Sequence, residues 1–456
     1  LYINMMTPTE FGALNLIYPF LALMNVVYMY GLDAAFMRFF IPEKNQERRQ
    51  QIFSVVYLSI LASTVLITAV LFLAKTPLSD LLLGDDPARS VFGLAFIILA
   101  IDGLSFMPVL YYRSIQKPGR YVSIIFAEVF INLGLNVILV GFLGWGLKGV
   151  LIANICSSLI KLLVASPSIF KNLTFIWNSI LWKDMLKFGL PTVPAVLFAM
   201  IVSLGDRFLI KYFFDQETVG IYSAGYKIGM IMSLVVTAFR FAWHPFFLSI
   251  ADQENAKETF ARILTLFMVV GSFVFLSVAL LAPSVLTMEI YGKAIITPAY
   301  ADGLRILPYI LVAYLFQGVY VNLVVGMYIK KKTYLAPLFT GTGMLLNLGL
   351  NFLLMGVFGF DFVAAGIAAV GSYLGQSYLL YRVSKKFYPV PYERNLLFRL
   401  LVIVAVLYAI PTITPSYALP LSILVVGLYF PALIKSKIIS TGQIRETMQK
   451  FRMRQS

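Results

Sequence analysis

The chain has one cysteine, Cys156, and one histidine, His244. A lone cysteine excludes an internal disulfide framework, and together the two are too few ligands for a protein-only metal cluster. Both sit in apolar runs and are read as structural, so neither metal nor cofactor is expected. Charge is scarce as well, at 12% of residues, where a soluble globular chain carries roughly 25%. The sequence contains no G-x-x-x-x-G-K-[ST] phosphate loop, no G-x-S-x-G and no H-E-x-x-H. Nucleotide hydrolysis through a phosphate loop and the hydrolase chemistries of the other two motifs are therefore not expected. The chain is not read as an enzyme. Any work it does must be driven by an ion gradient, the membrane potential or the gradient of its own substrate.

Apolar sequence fills the space these absences leave. Hydrophobic residues make up 60% of the chain and the mean hydropathy is +0.86. The apolar runs are continuous rather than alternating, which favours membrane-spanning helices over a barrel. A span needs about 20 residues, and thirteen are predicted, at 11–34, 51–73, 91–111, 121–143, 147–166, 188–213, 219–241, 262–282, 304–328, 334–357, 362–381, 396–411 and 418–434. The chain begins with Leu1, and LYINMMTPTEFG reads as a short connection between two spans. A preceding helix is therefore expected, giving fourteen.

The formal charge of +15 is spread over short loops, which points to a membrane rather than to nucleic acid. Alternate connections collect most of the basic residues: Arg38, Lys44, Arg48 and Arg49; Arg113, Lys117 and Arg120; Lys161, Lys171, Lys183 and Lys187; Arg240, Lys257 and Arg262; Lys330 to Lys332; Arg382 to Arg399; and the stretch after Lys435. The positive-inside bias places that set, and the C-terminus, in the cytoplasm. Residues 167–187 carry Trp177, Leu181, Trp182 and Met185 among lysines and read as an amphipathic interfacial helix joining two halves. The resulting division is an N-terminal bundle 1–166, the linker 167–187, a C-terminal bundle 188–381, two extra helices 382–434 and a basic tail 435–456.

An internal repeat supports two halves. INLGLNVILVGFLG at 131–144 aligns without gaps to LNLGLNFLLMGVFG at 346–359, pairing Asn132 with Asn347, Gly134 with Gly349, Asn136 with Asn351 and Gly144 with Gly359. Both copies run outward from the cytoplasm, so the halves are parallel repeats, the arrangement a rocking-bundle transporter needs. A weaker echo links EFGALNLIYPF at Glu10 to VGIYSAGYKIG at Val219.

A charge at the centre of a spanning helix costs about 2.5–3.5 kcal/mol and so should face a wet cavity or a partner. Asp102 lies mid-span. Glu128, Asn132 and Asn136 share a helix face, and Glu128 aligns with Gly343 in the repeat. The asparagines serve either as lumen groups or as glue between helices. Asn15, Tyr18, Asn25 and Asp33 form one polar stripe, with Asp33 near Arg38 as an alternative partner. Arg207 and Lys211 share a face beside Asp206, and Lys227 follows on the next span. These cations either present themselves to an anion or snorkel to the outer surface.

TPTEFGALNLIYPFLALMNVVYMYGLDAAFMRFF, LKFGLPTVPAVLFAMIVSLGDRFLIKYF and VGIYSAGYKIG resemble the second, seventh and eighth helices of the polysaccharide transporter family, the Wzx-type flippases for lipid-linked oligosaccharides. The resemblance implies an all-α fold of the multidrug/oligosaccharidyl-lipid/polysaccharide exporter superfamily, with two six-helix bundles in a V and alternating access. It implies a polyprenyl-diphosphate-linked oligosaccharide as cargo, a bacterial-type inner membrane, and a polysaccharide polymerase and chain-length machinery as partners. It also implies cationic lumen residues, for which Arg207, Lys211 and Lys227 stand here, with Arg38 receiving the diphosphate. Asp33, Asp102, Glu128 and Asp206 are then coupling candidates, and Asn15, Asn25, Asn132 and Asn136 polar lumen groups. A cation-coupled drug exporter and a peptidoglycan-precursor flippase remain as alternatives. A membrane-embedded glycan polymerase would need a longer outer loop than 74–90 or 283–303.

Overall fold

The computed structural model describes residues 2–84, 87–115, 117–290, 293–413 and 418–438. Among these, twelve helices are long and apolar enough to cross a membrane, and the shorter apolar helix Leu419–Lys435 follows them. Each overlaps one of the thirteen predicted spans. A two-residue antiparallel pair, Glu289–Ile290 with Lys293–Ala294, interrupts the helical pattern in one connection. The tail beyond Ile438 lies outside the described residues. The chain divides into two compact units, Leu1–Ser223 and Ala224–Ser456, and the division falls within the helix Gln216–Gly229.

Three predicted spans are broken. Thr7 caps Pro8–Met29, accepting from Glu10 N at 3.2 Å while its own N–H donates to the Glu10 carboxylate. That helix stops at Tyr30 and Gly31, which take left-handed backbone with φ of 31° and 82°, and Leu32–Phe40 restarts as a separate helix. The predicted span 188–213 divides at Gly205 into Val193–Leu204 and Asp206–Phe213. The span 219–241 divides at Met230, between Gln216–Gly229 and Ile231–Ser249.

The linker is a correction to the sequence reading. Instead of one interfacial helix it forms two, Pro167–Asn172 and Ser179–Gly189, with extended chain between them. Asn178 caps the second, accepting from Ile180 N and Leu181 N at 3.1 and 3.0 Å. Met185 is fully buried in a cluster with Phe36, Phe40, Phe53 and Tyr111, Leu181 packs on the same cluster, and Trp182 Nε1 donates to Ser59 Oγ at 2.8 Å. This apolar side is therefore packed against protein, while Phe170, Phe175, Ile176 and Ile180 stand exposed.

The internal repeat is visible in the backbone. In each unit the aligned helix, Pro118–Asn136 or Ala336–Asn351, widens into a six-residue π turn, Val137–Phe142 or Phe352–Val357. Asn136 Nδ2 donates to Asn132 O at 2.8 Å, and Asn351 Nδ2 donates to Asn347 O at 2.8 Å. Both segments end on a glycine at φ 66°, Gly144 and Gly359, a conformation that glycine adopts without steric penalty.

Candidate functional site: an ionised cavity in the first unit

Three helices of the first unit bring three ionisable groups to one place. Asp102 comes from Phe92–Ser114, Glu128 from Pro118–Asn136 and Lys161 from Gly146–Ala165. Lys161 Nζ donates to Asp102 Oδ1 at 2.8 Å and to Glu128 Oε1 at 2.7 Å. The three side chains keep 14%, 22% and 23% of their surface in the order Lys161, Asp102, Glu128, so they are neither sealed off nor freely solvated. Ser158, one turn before Lys161, donates to Asp102 Oδ1 at 2.8 Å. One turn beyond Glu128, Asn132 Nδ2 donates to Ser157 Oγ at 3.1 Å and fixes the separation of the two helices. Two carboxylates share one ammonium, which leaves the triad with a formal charge of −1.

By sequence Lys161 groups with the cytoplasmic loop cations; the structure puts it in this triad. The polar stripe Asn154, Ser157, Ser158, Lys161 inside an otherwise apolar span was the available signal, because it marks a single inward face at helical spacing.

The triad faces a cavity of about 590 Å³. Asn25 and Asp33 contribute from the predicted polar stripe, Arg113 from the helix of Asp102, Tyr121 from the helix of Glu128, and Thr192, Val193, Val196 and Met200 form another part of the wall. The rest of that stripe has other partners. Asn15 is buried and donates to Phe11 O at 2.6 Å, while Tyr18 OH accepts from Asn154 Nδ2 at 3.3 Å. Asn132 and Asn136 are engaged with each other and with Ser157.

Of the cations expected to form a basic lumen, Arg38, Arg207 and Lys211 are not among the residues that line this cavity. Arg207 is buried and pairs with Asp206, Nη1 to Oδ1 at 2.9 Å, and also donates to Ser203 O at 3.1 Å. The Tyr222 hydroxyl donates to the other oxygen of Asp206, and the guanidinium sits 5.8 Å from the Tyr222 ring centroid. Asp206 and Arg207 thus form a closed ion pair at the Gly205 break. Lys211 is half-buried, with Nζ beside the turn at Gly84. Arg38 is exposed, with its guanidinium 4.4 Å from the Phe188 ring centroid. Lys227 is exposed and belongs to the second unit.

The sequence profile of the polysaccharide biosynthesis protein family matches residues 1–251. No curated protein matches the chain in sequence. In fold it is similar to an inward-facing multidrug resistance MATE family transporter of the MOP superfamily, with a TM-score of 0.71 at 13% identity over 84% of this chain and 92% of that one. An outward-facing structure of such a transporter gives 0.60 at 15% identity, over 82% and 87%. The lipid II flippase MurJ in an inward closed conformation gives 0.66 at 13% identity, over 95% and 99%. The chain therefore belongs to the polysaccharide biosynthesis protein family, as a multi-pass helical membrane protein with the fold of the MOP superfamily.

Proposed function

We propose that the protein is a flippase that moves polyprenyl-diphosphate-linked oligosaccharide units from the cytoplasmic to the outer leaflet of a bacterial-type inner membrane. It works by alternating access and supplies O-antigen, capsule or exopolysaccharide assembly, alongside a polymerase and chain-length machinery. The observation that carries this reading is an ionised cavity walled by membrane-spanning helices, in a chain of the polysaccharide biosynthesis family. A sugar headgroup and diphosphate cannot cross hydrocarbon unaided, because each desolvated hydroxyl or charge is heavily penalised, whereas a polyprenyl tail can stay in lipid. Asn25, Asp33, Asp102, Arg113, Glu128 and Lys161 offer the sugar hydroxyls polar partners in place of water. Among the cations suggested for the diphosphate, Arg38, exposed on the first unit, is assigned that role ahead of Arg207, which pairs with Asp206. The C-terminus is assigned to the cytoplasm by the loop charges.

A second reading, a cation-coupled exporter of organic cations, is favoured by one observation: Asp102 and Glu128 outnumber Lys161. The two readings separate in the native host. Under the first, depletion traps lipid-linked oligosaccharide out of reach of a glycan-modifying probe confined to the outer face, and re-expression restores access. Unchanged access in a strain without a redundant carrier would sink the flippase reading and make drug efflux the next assay.

A further inference from the structure

The second unit serves as an internal control for the triad. The register that aligns Asn132 with Asn347 carries Asp102 onto Gln317, Glu128 onto Gly343 and Lys161 onto Gln376. There the same three helices pack with no charge at these positions. Ser372, the counterpart of Ser157, donates to Gly343 O at 2.6 Å. Gln317 Nε2 donates to Tyr373 OH at 3.3 Å, the contact that corresponds to Ser158 with Asp102. A Cβ on Gly343 would lie 2.5 Å from Gln376 Oε1, so the glycine makes room for the amide. Helix packing in this fold thus has a neutral solution, and an ionised one is not needed as glue. Asp102 and Glu128 lie in the middle of their helices, where a charge costs about 2.5–3.5 kcal/mol, and with Lys161 they call for a role in the cavity they face.

The chemistry of the wall narrows that role. Asp33, Asp102 and Glu128 set three carboxylates against the cations Arg113 and Lys161, so the cavity has a formal charge of −1 and repels a diphosphate. Both contacts of Asp102 use Oδ1, and the contact of Glu128 uses Oε1, which turns Oδ2 and Oε2 to other uses. A carboxylate oxygen is an acceptor only, and its bonds from hydroxyl donors are short and charge-assisted. Phe106 and Tyr121 add flat apolar surface to the same wall. Hydroxyl groups on a ring with an apolar face fit this set.

We infer that the Asp102–Lys161–Glu128 triad is the site that recognises the sugar headgroup of the cargo, with the carboxylates accepting its hydroxyls and Lys161 holding both carboxylates in place. The inference rests on the flippase reading and deepens it: the first unit selects the glycan, and the diphosphate is held elsewhere. A site built around hydroxyls discriminates strongly against a ligand that lacks them, because its polar groups are left unpaired.

The test uses the purified full-length chain in lipid nanodiscs and two probes, bare polyprenyl diphosphate and the native host's own polyprenyl-diphosphate-linked oligosaccharide, extracted from a polymerase-deficient strain. Wild type should bind the glycosylated lipid about tenfold or more tightly than the bare one. The variant Asp102→Gln/Glu128→Gly/Lys161→Gln installs the second unit's own residues. It should keep the wild-type melting temperature within a few degrees and bind both lipids with the affinity of the bare one. Retention of the glycan preference by this folded variant would overturn the inference. Loss of affinity for the bare lipid as well would assign the triad to the diphosphate and overturn it equally. Equal binding of both lipids by wild type would remove glycan recognition but leave the flippase reading standing; binding of neither would remove both.

Discussion

Gly31 and Gly189 approach so closely that a Cβ on Gly31 would lie 2.2 Å from the Gly189 carbonyl oxygen, and one on Gly189 would lie 2.4 Å from that of Gly31. The contact joins the end of Pro8–Met29 to the end of Ser179–Gly189, so it ties the linker to the first unit. A second crossing lies at the other end of Pro8–Met29, where a Cβ on Gly12 would lie 1.8 Å from the Gln216 carbonyl oxygen and one on Gly220 would lie 1.9 Å from that of Pro8.

Gly31→Ala should therefore destabilise the protein by about 2 kcal/mol, through the clash and through the left-handed backbone that alanine resists. Gly134, mid-helix with nothing within 4 Å of an added Cβ, is the control. Its change to alanine should leave stability equal or raised by about 0.5 kcal/mol. Melting temperatures in one detergent compare the two.

Lys161→Met leaves Asp102 and Glu128 facing each other without their shared cation. The loss should be about 2 kcal/mol, less than for a fully buried pair because the cavity lets in some water. The triple neutral variant should be the more stable of the two. The reverse order in thermal unfolding would mean that the ionised triad is a packing device after all.

Arg207→Ala strands Asp206 in apolar surroundings with only Tyr222 and the backbone as partners, and should cost about 3–5 kcal/mol. Asp206→Asn/Arg207→Met removes both charges and should recover much of that loss. A double-mutant cycle on unfolding yields the coupling. Independent, additive effects would contradict the closed ion pair.

Met185→Ala should destabilise by about 2–4 kcal/mol because the residue fills a packed cluster. Phe175→Ala, on exposed chain, should stay within about 0.5 kcal/mol. Both are read by unfolding of the purified protein.

The spans were legible because a 20-residue apolar run has one structural outcome in lipid. The breaks at Gly31 and Gly205 were not, since each depends on a contact far away in sequence: Gly189 against Gly31, and Tyr222 on Asp206. Asp102 and Glu128 stood out as charges within apolar runs. Lys161 did not, because near a helix end an inward-facing lysine and a snorkelling one have the same sequence signature. Helical spacing put Arg207 and Lys211 on one face, but spacing alone does not give partners, and the bond from Arg207 to Asp206 had to come from the structure.

A π turn disrupts regular helical hydrogen bonding and is rare in helices; here it occurs at the same aligned residues in both units, with the same Asn–Asn bond before it and the same glycine after it. The distortion therefore follows the repeated sequence rather than the surroundings of either copy, since the two units share it while differing at the charged positions. The charge triad is found in one copy only. The backbone distortion is thus what the two units hold in common, and the ionised cavity is where they differ.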